Sequence, residues 1–377
     1  MAQVVIFGAG KIARGFLSQI CFSAGVSFAF VEANADLVKA LNEAGRYTVH
    51  FLGDKARDLV VEGFEAVSID DGAGIARVAA DASCFFTSVG GKNLGAVAPA
   101  IEWALHHVRK GAVNVVTCEN WKRPAAILAQ AVRPPEGLAV GFAEAVVMRS
   151  AMEPTKEQLA RDALTVCVQD YHTLPVDAQP LVCPLPAIPE IVPTEGFKGF
   201  LERKFYTYNA ANGTASFVGA FLGHTVLAEA ARDERVDALL TRVYRETGQA
   251  LSKRHGIPLD EQLAFSETSR AKLRDRGLPD TVERNARDPL RKLGRDDRLV
   301  GSALLAEGYG IVPEGLATAI AAALHYENPD DPSAVKLAAM LREQGSGYVL
   351  DQVCGLQGDP LRALVLEKEK ELLSWRR

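Results

Sequence analysis

Three runs in this sequence carry residue types whose spacing could do chemistry. The first is Gly8-Ala9-Gly10-Lys11-Ile12-Ala13, a G-x-G-x-x-A pattern directly behind the apolar run Val4-Val5-Ile6-Phe7 and at the head of a helical pattern. In that context each small residue has a task. Gly8 allows a tight turn, Gly10 lets the backbone approach a pyrophosphate, and Ala13 permits close packing of helix on strand while the helix N-terminus faces the phosphates. Phe7, Gly8, Gly10, Lys11 and Ile12 are therefore expected around a dinucleotide. Glu32 ends the next strand-like run, where a carboxylate accepts hydrogen bonds from the adenosine ribose hydroxyls and repels a 2′-phosphate. No Arg or Lys occurs from 33 to 37, so NAD rather than NADP is the expected cofactor. Thr87 and Val89 close a further strand at the same sheet edge and are expected to wall the cofactor, an ordinary strand-to-helix turn being the alternative.

The second run begins at Lys204 and contains Asn209 and Asn212. At about 100° per residue, Asn212 lies roughly 80° and Asn209 roughly 140° from Lys204, on one broad helical face. A lysine suits proton abstraction from a secondary alcohol if burial lowers its pKa, and asparagine amides orient an oxygen without carrying charge. Spacing alone favours the commoner arrangement, a surface lysine among helix-capping asparagines. The third run crowds Arg284, Arg287, Arg291, Lys292, Arg295 and Arg298 among Asp288, Asp296 and Asp297. Such runs are usually solvated faces with internal ion pairs. Asp288-Pro289 also reads as N-cap and first helical residue, which would set Arg287, Arg291, Lys292 and Arg298 to hold a phosphate or carboxylate. His172 and His224 stand alone, open to packing or substrate contact.

These runs need elements to position them. The first half alternates short strand-like runs (4–7, 27–31, 84–89, 114–118, 139–142) with helical windows (12–24, 35–44, 94–107, 124–131), the pattern of βαβ units in a parallel sheet; runs 47–52 and 59–69 read as added strands, with a hairpin as one arrangement. Six prolines between 174 and 193 forbid helix and mark a junction. Beyond it, windows 196–208, 216–231, 236–255, 289–305, 313–325 and 332–342 are helical. The expected fold is α/β, an N-terminal Rossmann-type doubly wound domain over 1–190 followed by a mainly α-helical substrate and catalytic domain over 191–377. A chain of 377 residues is long for one core.

Bulk composition excludes several classes. Apolar residues at 48% and charged residues at 24% describe an ordinary globular chain. A net charge of −5 offers no broad positive field, so nucleic acid is not an expected partner. The six cysteines form no C-x-x-C pair, no metal site is expected, and neither a leader nor a membrane-spanning run is seen, so a cytoplasmic location is expected. Oligomeric state is left open.

The residues also carry a family resemblance. Phe7 to Gly15, Cys118-Glu119-Asn120, Glu202-Arg203-Lys204, Asp288-Pro289-Leu290-Arg291-Lys292-Leu293, Asp297-Arg298-Leu299, Ala321-Ala322-Ala323-Leu324-His325 and Asp330-Asp331-Pro332 resemble the polyol-specific long-chain dehydrogenases over nearly the full chain, the mannitol-1-phosphate 5-dehydrogenase branch most of all. The resemblance implies an NAD-dependent, metal-independent hydride transfer between a polyol or polyol phosphate and its ketose. It implies Lys204 as general base, with Asn120 and Asn209 holding the reacting oxygen, Asn120 meeting the second-domain helix across a cleft. Two departures stand out. The family's histidine eight residues after the lysine is Asn212 here, and its Val-Asp-Arg signature reads Val147-Met148-Arg149. Neither Asn212 nor Met148 titrates near neutral pH, which implies a shifted substrate or rate. The segment 168–173 also lacks the Glu-Trp pair of mannitol-phosphate relatives, and His172 would be a substitute imidazole. Two rival readings follow, a sugar-acid oxidoreductase whose arginines hold a carboxylate, and an NAD-binding regulatory protein that has lost the chemistry.

Overall fold

The structure, a computed structural model, describes residues 2–53 and 56–376. It forms two compact units, Met1–Phe197 and Lys198–Arg377.

The first unit is built on six parallel strands, Val4–Phe7, Phe28–Glu32, Glu65–Ser68, Cys84–Thr87, Ala112–Thr117 and Ala139–Glu144. Numbered along the chain, their lateral order is 3-2-1-4-5-6, the order of a dinucleotide-binding doubly wound sheet. The central strands are apolar on both faces because each face is covered. Val4, Ile6, Phe30 and Phe86 pack into one core, and Val5, Phe7, Val31 and Phe85 into the other. Strand order reverses between Val4–Phe7 and its neighbour Cys84–Thr87, so the crevice at their carboxyl ends lies at Gly8 and Ser88.

The run 59–69 is not one strand. Gly63, at φ 74°, divides it. Arg57–Glu62 pairs antiparallel with Arg46–Leu52 in a second sheet, while Glu65–Ser68 becomes the edge of the main one. The second sheet continues through Val166–Gln169 to Ala151–Met152. Within the proline-rich segment Ile191–Thr194 pairs in parallel with Leu174–Asp177, and the first unit runs to Phe197.

The regular elements of the second unit, among its described residues, are all helices. Its core gathers around Ala210–Phe221 and Glu314–Leu324, alanine-rich helices whose small side chains allow burial on nearly every side. Two windows read as continuous helices are broken. Gly223, at φ 85°, ends the helix begun at Ala210, and the turn 293–299 separates Pro289–Lys292 from Val300–Gly308. Leu259–Leu273 and Pro360–Leu373 are further helices absent from the windows read from the sequence. No helix among the described residues is long and apolar enough to cross a membrane.

Candidate functional site

In the first unit, the turn after the first strand is held from three sides. The Gly8 N–H donates to Val31 O at 2.7 Å, and the Ser88 N–H donates to Phe7 O at 2.8 Å. Gly8 sits at φ 97°, and a Cβ there would collide with the Ser88 carbonyl, so glycine is required by the fold itself. Gly10 is different: a Cβ there would meet nothing within 4 Å. Packing does not demand glycine at that position, which leaves open space where the motif brings a pyrophosphate. Glu32 braces the turn, one carboxylate oxygen accepting the Ala9 N–H at 2.6 Å and the other the Asn34 N–H at 2.9 Å. An ionised carboxylate offers about four lone-pair sites, so acceptor capacity remains for ribose hydroxyls.

The other expected cofactor residues divide. The Phe7 ring is fully buried against Phe85, 5.6 Å between centroids, so only its backbone faces the turn. Lys11 is paired with Glu153, and Ile12 packs partly into the core. Thr87 is buried with its Oγ1 lacking any hydrogen-bond partner among the described residues. The Val89 and Gly90 N–H groups donate to the two oxygens of Glu119 at 2.8 and 2.9 Å. Sequence reasoning missed this role for Glu119, a buried carboxylate that fixes the loop at the fourth strand while the next residue, Asn120, is exposed. Open space at Gly10 and spare acceptors on Glu32 fit a dinucleotide, whereas the Thr87 hydroxyl is fully buried and faces no open space.

Arg149 anchors the helix behind the turn. That helix opens with a π-helical stretch, Ala13–Leu17, and Arg149 donates to Gly15 O at 2.6 Å, to Gln19 at 2.7 Å and to Tyr171 O at 2.5 Å. Burial pushes its guanidinium down to about 10. Met148 beside it is buried, 3.7 Å from the Tyr171 hydroxyl. His172 pairs with Asp170 at 2.8 Å.

In the second unit, Lys204 ends the helix Phe197–Lys204, and the chain continues as a π-helical turn, Phe205–Asn209. This corrects the angular reading made for a regular α-helix. A π turn spans five residues per hydrogen bond instead of four, so Lys204 and Asn209, five apart, stand about one turn above each other. The Lys204 ammonium is partly buried and forms no hydrogen bond or ion pair with the described residues. Burial, reinforced by the nearby Arg298 charge, lowers its pKa to about 8. Arg298 bonds Asp297 at 2.9 Å and stands 5.6 Å over the Phe205 ring; its stem would lie 3.3 Å from a Cβ on Gly213, next to Asn212.

Lys272, unread in the sequence, is also held at about 8, by burial and then by the charge of Lys204. Lys292 is buried, donates to Asn285 O at 2.5 Å, and is lowered to about 7 by burial and then by Arg298 and Arg291. Positive charge is thus concentrated around Lys204. The helix start proposed as an anion site is a single four-residue turn, too short to gather an appreciable dipole. Arg291 is committed to Asp288 at 2.7 Å and Asp297 at 3.3 Å, whereas Arg287 is exposed and unpaired among the described residues. Asp288 adopts a left-handed φ of 62°, held by Asp331, which accepts its N–H at 2.7 Å. That interlock of two Asp-Pro turns directs Lys292 inward. His224 pairs with Asp233 at 3.1 Å. An open cavity of about 450 Å³ lined by Glu202, Tyr206, Arg254 and Tyr309 belongs to another face, because Glu202 and Tyr206 each lie two residues from Lys204.

A 3-2-1-4-5-6 parallel sheet with a glycine turn at its switch point defines a dinucleotide-binding fold, here joined to a helical unit carrying a depressed lysine. The chain belongs to the mannitol dehydrogenase family: the profile of the mannitol dehydrogenase Rossmann domain matches residues 2–190, and that of the mannitol dehydrogenase C-terminal domain matches residues 197–352. Among solved structures, it is similar to the Pseudomonas fluorescens mannitol 2-dehydrogenase ternary complex with NAD and D-mannitol, at a TM-score of 0.70 and 16% identity, over 98% of this chain and 92% of that one. It is also similar to a D-sorbitol dehydrogenase in substrate-free form, at a TM-score of 0.79 and 14% identity, with the same coverage of both chains. At such identities the likeness shows the fold.

Proposed function

We propose that this protein is an NAD-dependent dehydrogenase interconverting a polyol or polyol phosphate, of the mannitol 1-phosphate and fructose 6-phosphate type, with the corresponding ketose. The observation that carries this reading is Lys204, a partly buried lysine lowered to about 8 and standing one π turn from Asn209 in a chain of the mannitol dehydrogenase family. NAD, when bound, supplies the hydride acceptor. Gly10 leaves room for its pyrophosphate, and Glu32 turns its remaining acceptors to the ribose. Neutral Lys204 takes the hydroxyl proton, and the amide of Asn209 donates to the oxygen as negative charge develops on it. Asn212 contributes an uncharged polar group beside them. Arg287 and Arg298 provide the positive charge that an anionic end of the substrate would need, while Lys292, lowered to about 7, serves as a hydrogen-bond donor.

A substrate panel followed by NADH absorbance tests the proposal. Turnover of a hexitol or hexitol phosphate is the expected result. The same positive charge suits a carboxylate, so oxidation of hexonates with rejection of every hexitol and hexitol phosphate would replace this reading with a sugar-acid oxidoreductase. NADH binding without turnover of any of them would leave a regulatory nucleotide-binding protein.

The assignment of Glu32 has its own test. Glu32→Gln removes the charge but keeps an acceptor for the turn, so the preference for NAD over NADP should narrow, chiefly through a lower KM for NADP. An unchanged ratio of the two KM values would show that another group excludes the 2′-phosphate.

A further inference from the structure

Lys204 belongs to a segment fastened to the helix Leu259–Leu273. At the centre of that contact is Gln262, whose side chain is completely buried. Its Oε1 accepts from Arg203 Nε at 2.7 Å, and its Nε2 donates to Thr207 Oγ1 at 3.0 Å. Arg203 immediately precedes Lys204, and Thr207, also completely buried, lies inside the π turn. One amide therefore ties together side chains on both sides of the base. The neighbouring contacts repeat the pattern: Arg203 donates to Glu261 at 3.0 Å and lies 4.4 Å over the Phe265 ring, and Phe265 meets Tyr208 edge-on at 5.1 Å.

A π turn is a costly local choice, since a regular helix would satisfy the same backbone groups with better geometry. It persists where surrounding structure over-determines it. In a regular helix Asn209 would rotate to roughly 140° from Lys204. We infer that Gln262 is a positioning residue of this site, its amide clamping Arg203 and Thr207 so that the π turn keeps Lys204 and Asn209 in register for one substrate oxygen. Glutamine suits the position because its primary amide accepts from a guanidinium at one atom and donates to a hydroxyl at the other. A leucine would pack equally well and hold neither. This inference rests on the reading of Lys204 as the base.

The test uses Gln262→Met, which keeps the volume and removes both bonds, and Thr207→Val, which removes one bond by a near-isosteric change in case the first variant folds poorly. A misplacement of about 1 Å costs on the order of 10²-fold in rate, so each should lower kcat by about 10-fold or more with the KM for NADH unchanged. The double variant should lose little beyond the worse single one, because both changes break the same link. The acid limb of the kcat–pH profile should also move, since Lys204 would shift against its charged neighbours Arg298 and Lys272. Gln262→Glu, which keeps an acceptor for Arg203 and can accept from Thr207, should recover much of kcat while moving that limb to higher pH. Wild-type kcat and pH profile in a folded Gln262→Met or Thr207→Val variant would overturn the clamp. Lys204→Ala assayed in parallel separates the two ideas: if it keeps kcat, the base assignment fails; if it loses kcat while the clamp variants do not, only the clamp fails.

Discussion

Lys204→Ala is expected to lower kcat by about 10²-fold or more, the usual scale for a positioned acid–base group, with the KM for NADH nearly unchanged. The pH dependence follows from the sign of the shift. Burial disfavours the ammonium form, so the pKa of Lys204 falls from the ordinary 10.5 to about 8, and wild-type oxidation should rise as pH passes through that region. The same shift makes Lys204 a burden on the fold. Between about 8 and 10.5 the unfolded chain holds more of this proton than the folded one, so the penalty is full below 8 and is relieved as pH rises toward 10.5. Lys204→Met should therefore melt above the wild type at pH 7, and the gap should close at higher pH. A variant that keeps wild-type kcat on a substrate the wild type turns over would remove Lys204 from the chemistry.

The second large effect is expected at the glycine turn, where two glycines two residues apart should behave differently. Gly8→Ala places a Cβ against the Ser88 carbonyl and forces a φ of 97° on a residue with a side chain. Backbone strain of this kind costs about 1–3 kcal/mol before any displacement of the strand end is counted. The variant should melt several degrees lower and bind NADH more than about 10-fold more weakly, an order of magnitude being about 1.4 kcal/mol. Gly10→Ala meets no protein atom within 4 Å, so its melting temperature should match the wild type while NADH affinity still falls. Titration calorimetry and thermal melts on the pair read both quantities. Full NADH affinity in Gly10→Ala would mean that the space beside Gly10 is not where the pyrophosphate lies.

Much of the first unit was legible because its signals are local. Strands buried on both faces read as continuous apolar runs, and the glycine spacing states its own backbone requirement at Gly8. Val4–Phe7 and the helices Ala35–Ala44 and Pro124–Ala131 fall at the bounds their patterns predict. The run 59–69 was misread because hydropathy shows that a strand exists and not which sheet receives it; Gly63 decides that by turning the chain. In the second unit, the helix Leu259–Leu273 left no amphipathic trace for a simple reason. The positions it buries, Gln262, Ser266, Ser269 and Leu273, have helical spacing but are mostly polar, so a search for an apolar stripe passes over them. With that helix went Lys272 and Gln262.

The sequence by itself determined the dinucleotide turn, the acid at Glu32, the parallel sheet and the likeness to the polyol dehydrogenases. Each depends on residue type at short spacing or on a periodic pattern. Tertiary structure decided the state of those residues. The burial that lowers Lys204, the carboxylate of Glu119 that braces the Val89 loop, and the Gln262 amide that ties the π turn between Lys204 and Asn209 all arise from segments distant in sequence. Desolvation, hydrogen-bond pairing and helix register are properties of neighbours in space, and no local pattern in the chain encodes which neighbours those will be.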